Sequence, residues 1–110
     1  MVRALLTDLE LMILLAVLRV EPGAYGVTIT REIERHTRRR VAVAVVYTTL
    51  DRLETHGLAV STLGDPTPER GGRAKRYFRV TPKGLRRVRD TQAALTALWS
   101  GVPQLTGESI

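Results

Sequence analysis

A change of hydrophobic period at Gly57 restricts this chain more than any other feature. Before it, Val43, Val46, Tyr47, Leu50 and Leu53 recur at three- and four-residue steps, the spacing of one helical face. After it, Leu58 to Leu63 alternates, and Lys75 to Val80 does so again with Phe78 and Val80 on one face. Period two is the signature of a strand, and two such runs in succession predict a hairpin. The intervening Gly64-Asp65-Pro66-Thr67-Pro68-Glu69-Arg70-Gly71-Gly72 is rich in turn formers and too long for a tight turn. A mobile loop at the hairpin tip is expected.

Upstream, Thr7-Asp8-Leu9-Glu10 has the Thr-x-x-Glu spacing of a capping box. A first helix therefore starts there and runs to about Leu18, apolar on nearly every side, until Glu21-Pro22-Gly23 stops it. Val27 to His36 reads as a short amphipathic second helix. Thr37-Arg38-Arg39-Arg40 is then a basic connector to the third helix. Val41 to Val46 is β-branched enough to read as strand or helix, so that helix is fixed only from Val46 onward. Gly57 is its expected C-terminal stop. Thr81-Pro82 reads as a cap with proline at the first helical position, opening a long fourth helix to about Ser100.

Along the fourth helix, Leu85, Val88, Gln92, Leu95 and Trp99 alternate at three- and four-residue steps, a seam that seeks a partner helix. Packing on the same chain is the alternative, but three preceding helices already supply a core, so the seam is assigned to a second subunit. The expected organisation is one unit: a helical and hairpin domain over 1–80, a dimerisation helix over 81–100 packed with it, and a flexible tail over 101–110.

Composition narrows the chemistry. The 110 residues carry 17 Lys and Arg against 11 Asp and Glu, a formal charge of +6, which favours a polyanionic partner. There is no cysteine, so disulfides, thiolate metal sites and a cysteine nucleophile are excluded. The histidines, His36 and His56, end two different helices without metal-ligand spacing and suit the negative helix end. Gly71-Gly72 lies in a hairpin and not after a strand that opens a helix, so no phosphate-cradling loop is expected. Neither catalytic residues, metal nor cofactor is anticipated. The apolar run Leu9 to Leu18 contains Glu10 and falls short of the roughly 20 residues that span a bilayer. No convincing cleavage site follows it, so no membrane association and a cytoplasmic location are expected.

Helix, helix, helix, hairpin, helix is the order of a winged helix-turn-helix followed by an added helix, and the fold class expected is mainly α with a small β-hairpin. In such folds the third helix enters the major groove while the hairpin follows the adjacent backbone. Arg70, Arg73, Lys75 and Arg76 cluster on the hairpin, and Arg38, Arg39 and Arg40 precede the third helix; these are the candidate phosphate contacts. Outside the apolar stripe of that helix lie Ala44, Val45, Thr48, Thr49 and Arg52. Alanine and valine can touch a thymine methyl and threonine can hydrogen-bond, while only Arg52 offers a bidentate contact.

Three segments then carry a specific resemblance: Tyr25-Gly26-Val27-Thr28-Ile29, Tyr47-Thr48-Thr49-Leu50-Asp51-Arg52-Leu53-Glu54-Thr55-His56-Gly57-Leu58, and Gly72-Arg73-Ala74-Lys75-Arg76-Tyr77-Phe78-Arg79-Val80-Thr81-Pro82-Lys83-Gly84. In this order, across about Leu5 to Gly84, they resemble the PadR family of bacterial repressors. Ala42 to Val46 departs from the family habit, lacking the polar or proline punctuation before the tyrosine. The resemblance implies that Tyr47 sits near the start of the recognition helix, that Gly72 and Arg73 belong to the wing, and that the last helix dimerises. Tyr47 then either packs through its ring or meets a phosphate through its hydroxyl. The resemblance further implies repression relieved by a small aromatic effector, for which Leu95 and Trp99 are the candidate lining residues. A homodimer implies an inverted-repeat operator in duplex DNA. The rival reading is a winged-helix adaptor that binds protein, distinguishable by weak salt dependence.

Overall fold

Thr7 opens the first helix as its spacing predicts. Its hydroxyl accepts the Glu10 N–H at 3.2 Å, and the Glu10 carboxylate accepts the Thr7 N–H at 2.8 Å, so two otherwise orphaned donors are satisfied reciprocally. The computed structural model describes residues 5–66 and 74–106. In order these form α1 (Asp8–Val20), α2 (Gly26–Thr37), α3 (Val43–Thr55), β1 (Ala59–Pro66), β2 (Ala74–Val80), α4 (Pro82–Trp99) and a single turn, α5 (Pro103–Thr106). Mostly helical with one antiparallel hairpin, the chain has the expected α+β class.

The helix or strand alternative over Val41 to Val46 resolves as helix from Val43. The apolar step Val46, Leu50, Leu53 points these side chains into the centre, where each is sealed from solvent; tertiary burial outweighs the β preference of the preceding valines. At the far end Gly57 adopts φ 77°. Its N–H reaches the Glu54 carbonyl at 2.9 Å and the Leu58 N–H reaches Leu53 at 2.9 Å, a Schellman closure whose left-handed residue glycine supplies without strain. Leu53 and Leu58, both buried, pack across that closure. α2 ends differently, on Arg38 at φ 62°, a position more usually glycine.

The core joins Ile13, Leu14 and Val17 of α1, Ile29 and Ile33 of α2, the α3 stripe, Leu58 and Phe78. Ala59 pairs with Val80, Ser61 with Phe78 and Leu63 with Arg76, with an irregularity between Leu63 and Pro66. Strand β1 thus runs further into the glycine- and proline-rich segment than alternation alone predicts. The remainder of the expected mobile loop, residues 67–72, lies outside the described residues, as do residue 73 and the end of the tail, 107–110. The turn α5 falls where no element is predicted.

Thr81 caps α4 by accepting the Gly84 N–H at 3.0 Å, with Pro82 opening the helix. The first half of α4 packs on its own domain. Val88 is only 8% exposed and belongs to the core, and buried Thr91 accepts the Leu6 N–H at 3.1 Å. The reading of Val88 as an exposed seam position is therefore corrected: it is chiefly a core residue of its own chain. No helix among the described residues is long and apolar enough to cross a membrane.

Glu32 clamps α1 to α2. Its carboxylate receives Arg19 Nε at 2.6 Å and faces His36 Nε2 at 3.0 Å, with Arg35 at 3.9 Å. The Arg19 hydrogen bond holds the carboxyl below its ordinary value of 4.5 against the opposing effect of burial, and the charges of His36 and Arg19 assist. A carboxyl depressed on folding stabilises above its unfolded value and loses that contribution as pH falls through the folded one. We expect Glu32→Gln to melt below the parent at pH 7, with the two melting temperatures converging as pH falls below about 4. Thermal melts from pH 7 to 3 check this; a constant separation would mean that charge is not what Glu32 contributes.

Candidate nucleic-acid interface

The exposed side of α3 is framed by the connector from α2 and by the hairpin. The two short elements Gly26–Thr37 and Val43–Thr55 are separated by only the basic turn, which sets Arg38, Arg39 and Arg40 beside the start of α3. All three are exposed. Arg39 pairs with Asp8 at 3.1 Å and Arg40 with Glu34 at 3.2 Å, while Arg38 has no ion-pair partner among the described residues. Exposed pairs of this kind are worth about 0–1 kcal/mol, so a phosphate can displace them.

Between α2, α3 and β2 lies a concavity of about 610 Å³ lined by Tyr25, Val27, Val43, Tyr47, Lys75 and Arg76 among others. Tyr47 packs through its ring, one of the two readings left open for it. Its ring lies 6.3 Å from that of Phe78, and its hydroxyl oxygen accepts the Gly26 N–H at 3.3 Å. The ring approaches so closely that a Cβ on residue 26 would lie 2.5 Å from Tyr47 Cε2, which makes glycine a requirement of this contact. Packing thus fixes the ring, and Tyr47 lines the concavity. Lys75 Nζ stands 4.6 Å over the Tyr25 ring, which in turn meets Tyr77 edge-on at 5.6 Å. The aromatic pair supports the stem of Lys75 and leaves its ammonium at the rim.

Other predicted contacts fall elsewhere. Arg76 is turned inward under the hairpin: it donates to Asp51 at 2.7 Å, to Glu54 at 2.7 Å and to Ser61 at 3.1 Å, and lies 4.8 Å over Phe78. Burial opposes its charge, but its hydrogen bonds to Asp51 and Glu54 outweigh it and hold the guanidinium more basic than usual. Its assignment as a phosphate contact is corrected to a tie between the hairpin and α3. Thr49 is 4% exposed and donates to the Val45 carbonyl at 2.9 Å, so it is packing and not a reading residue. Arg52 is exposed but leans to Glu10 at 3.9 Å, towards the start of α1. Ala44, Val45 and Thr48 remain exposed on α3. Arg70 and Arg73, with Gly72, lie outside the described residues.

Sequence reasoning missed Asp51 and Glu54. The available signal was two carboxylates three residues apart, flanking the apolar stripe on the side where a basic strand must dock. It missed Tyr25 and Val27 as lining residues because both are carried by a motif without an obvious charge.

A second concavity, about 410 Å³, runs between α1 and the far half of α4, lined by Leu11, Leu15, Gln92, Leu95 and Trp99 among others. Leu95 is 49% exposed, Trp99 61% and Leu98 76%. Four of the five seam positions line this groove, Val88 at its buried floor and Gln92, Leu95 and Trp99 exposed. Leu85 is half-buried and lies outside the groove.

Three packed helices, a hairpin docked against the third, and a fourth helix leaving the hairpin define a winged helix-turn-helix. Residues 14–90 match the model of the transcriptional regulator PadR-like family, and the chain belongs to that family. A transcriptional regulator of Mycobacterium tuberculosis is 38% identical over 74 residues, 67% of this chain and 64% of that protein; the chain thus spans less than two thirds of that relative's length. A PadR family transcriptional regulator from Eggerthella lenta superposes with a TM-score of 0.69 at 26% identity, covering 89% of this chain and 85% of that one. A PadR-like regulator from Bacillus cereus shares the fold with a TM-score of 0.70 at 24% identity, over 88% and 89% of the two chains.

The tie through Arg76 separates two neighbouring cations by role. Arg76→Met should lower stability by about 1–2 kcal/mol, the modest end for charged hydrogen bonds, because its side chain keeps 35% of its surface exposed. Lys75→Met should change it by no more than about 0.5 kcal/mol. Urea unfolding of both variants decides; equal losses would remove Arg76 from the tie.

Proposed function

We propose that this regulator is a cytoplasmic homodimer that binds an inverted-repeat operator in duplex DNA and represses transcription. The observation that carries the reading is the rim of cations, exposed Arg38, Arg39 and Arg40 on the connector and half-buried Lys75 on β2, flanking the exposed side of α3. Such a rim suits the two phosphate backbones that border a major groove, with Tyr47 offering a hydroxyl to the same backbone. Arg70 and Arg73 of the wing are proposed to extend it.

The dimer reading rests on the α1/α4 groove. A helix end exposing Leu95, Leu98 and Trp99 is a contiguous apolar surface of the sort a second subunit covers. The proposed contact is the corresponding seam of the partner, with Gln92, Leu95 and Trp99 facing it. A small aromatic effector would enter between Trp99 and its symmetry mate, where indole faces suit a planar ligand.

Fluorescence anisotropy on duplex DNA from the chain's own upstream region, against an unrelated duplex and across salt, tests the reading. Affinity should fall by about 0.9 log units per tenfold salt for each phosphate neutralised, and Lys75→Ala or Arg38→Ala should each lower that slope by about one. Absence of binding even at low salt would give first place to a protein-binding adaptor. Trp99 is the chain's single tryptophan, so its emission reports the groove directly. Dilution or Leu95→Glu should shift that emission to the red as the dimer parts, and sedimentation should show monomer; a dimer that survives Leu95→Glu would place the interface elsewhere.

A further inference from the structure

We infer that the recognition helix reads its operator through 5-methyl groups on the bases, principally those of thymine, and not through side-chain hydrogen bonds. The inference rests on the DNA-binding reading above and adds the chemistry of the bases selected.

The first turn of α3 presents Val43, Ala44 and Val45, all exposed, with no polar side chain among them. One turn further, Thr48 is exposed, but its hydroxyl donates to the Ala44 carbonyl at 3.0 Å. A threonine bonded back to its own helix leaves its methyl as the outer part of the side chain. The remaining polar groups are committed or displaced. Asp51 is held by Arg76 at 2.7 Å, Thr55 donates to the Asp51 carbonyl at 2.9 Å, and Arg52 is drawn to Glu10 at 3.9 Å on the α1 side of the patch. What the helix offers to a groove floor is therefore a patch of methyl groups bordered by the cations of the connector and of β2.

Duplex DNA complements that arrangement. Its phosphates meet the cationic border, and among the four bases only thymine carries an apolar substituent in the major groove. A protein surface would match the methyl patch equally well but gives no reason for the cations on both sides. Each methyl sealed against Val or Thr removes roughly one CH₂ equivalent from water, about a fourfold change in affinity.

The test selects binding duplexes from a random-sequence pool and resynthesises the preferred duplex with deoxyuridine in place of thymidine, one position at a time, which removes the methyl and keeps every hydrogen-bonding group. Thymine should be enriched in both half-sites, and uracil at a contacted position should weaken binding about fourfold. Thr48→Val, which keeps the methyl and loses the hydroxyl, should retain affinity. Thr48→Ser, which does the opposite, should lose it and become insensitive to uracil at the matching position. Equal binding of thymine and uracil duplexes, or loss with Thr48→Val and retention with Thr48→Ser, overturns methyl readout while DNA binding stands. A pool that yields no preferred duplex even at low salt overturns the DNA-binding reading itself, and this inference with it.

Discussion

The seating of Phe78 decides where everything else on the candidate interface lies. Its ring is fully buried and its N–H donates to the Ala24 carbonyl at 2.8 Å, so the second strand is bound both to the core and to the turn between α1 and α2. One face of that ring supports Tyr47 and the region near it carries Arg76. A two-stranded hairpin is marginal alone in water. Here it is rigid at its base because one aromatic side chain anchors it in the same core that holds the recognition helix. Truncating such a ring typically costs about 3–5 kcal/mol, and the loss would free the wing from α3 as well as open the core.

Charge completes what packing begins. The chain has an excess of cations, yet its acidic side chains are not scattered over the surface. Asp51 and Glu54 hold Arg76 beneath the wing, Glu32 holds Arg19 beside His36, and Asp8 and Glu10 lie against Arg39 and Arg52. The first of these ties is the most directional, with two separate guanidinium nitrogens engaging two carboxylates. The exposed pairs at Arg39 and Arg40 are weak by comparison. Net charge alone therefore overstates the number of cations available to a polyanion; Arg38 and Lys75 remain at the rim, and Arg76 does not.

Local patterning revealed the architecture because each boundary has its own chemical mark. Thr7 with Glu10, Thr81 with Pro82, and Gly57 with Leu58 are short-range devices whose partners lie within a few residues, and all three behave as their spacing predicts. The site was legible only in outline. Adjacent strand residues point to opposite faces, but which face of β2 meets α3 depends on register, and so the different fates of Lys75 and Arg76 could not be separated by composition. Thr49 and Val88 failed for a related reason: each looks available on its own helical wheel, and each is covered by a neighbour distant in sequence. Tyr47 was left open between packing and contact because spacing alone places neither its ring nor its hydroxyl; the ring packs beside Phe78 and the hydroxyl oxygen accepts the Gly26 N–H.

The near-uniform apolarity of α1 follows from its having two surfaces to fill. Ile13, Leu14 and Val17 face the core, whereas Leu11 and Leu15 line the groove with Leu95 and Trp99. A helix serving one core would carry a polar outer stripe; a helix lying between a core and an open apolar groove cannot. Its first turn meanwhile carries Asp8 and Glu10 to the arginines beside the recognition helix. At 1.5 Å per residue such a helix is about 20 Å long, short enough to move as a rigid rod. The groove lining and the acidic partners of Arg39 and Arg52 thus lie on one stiff element, with Leu11 of the groove directly following Glu10.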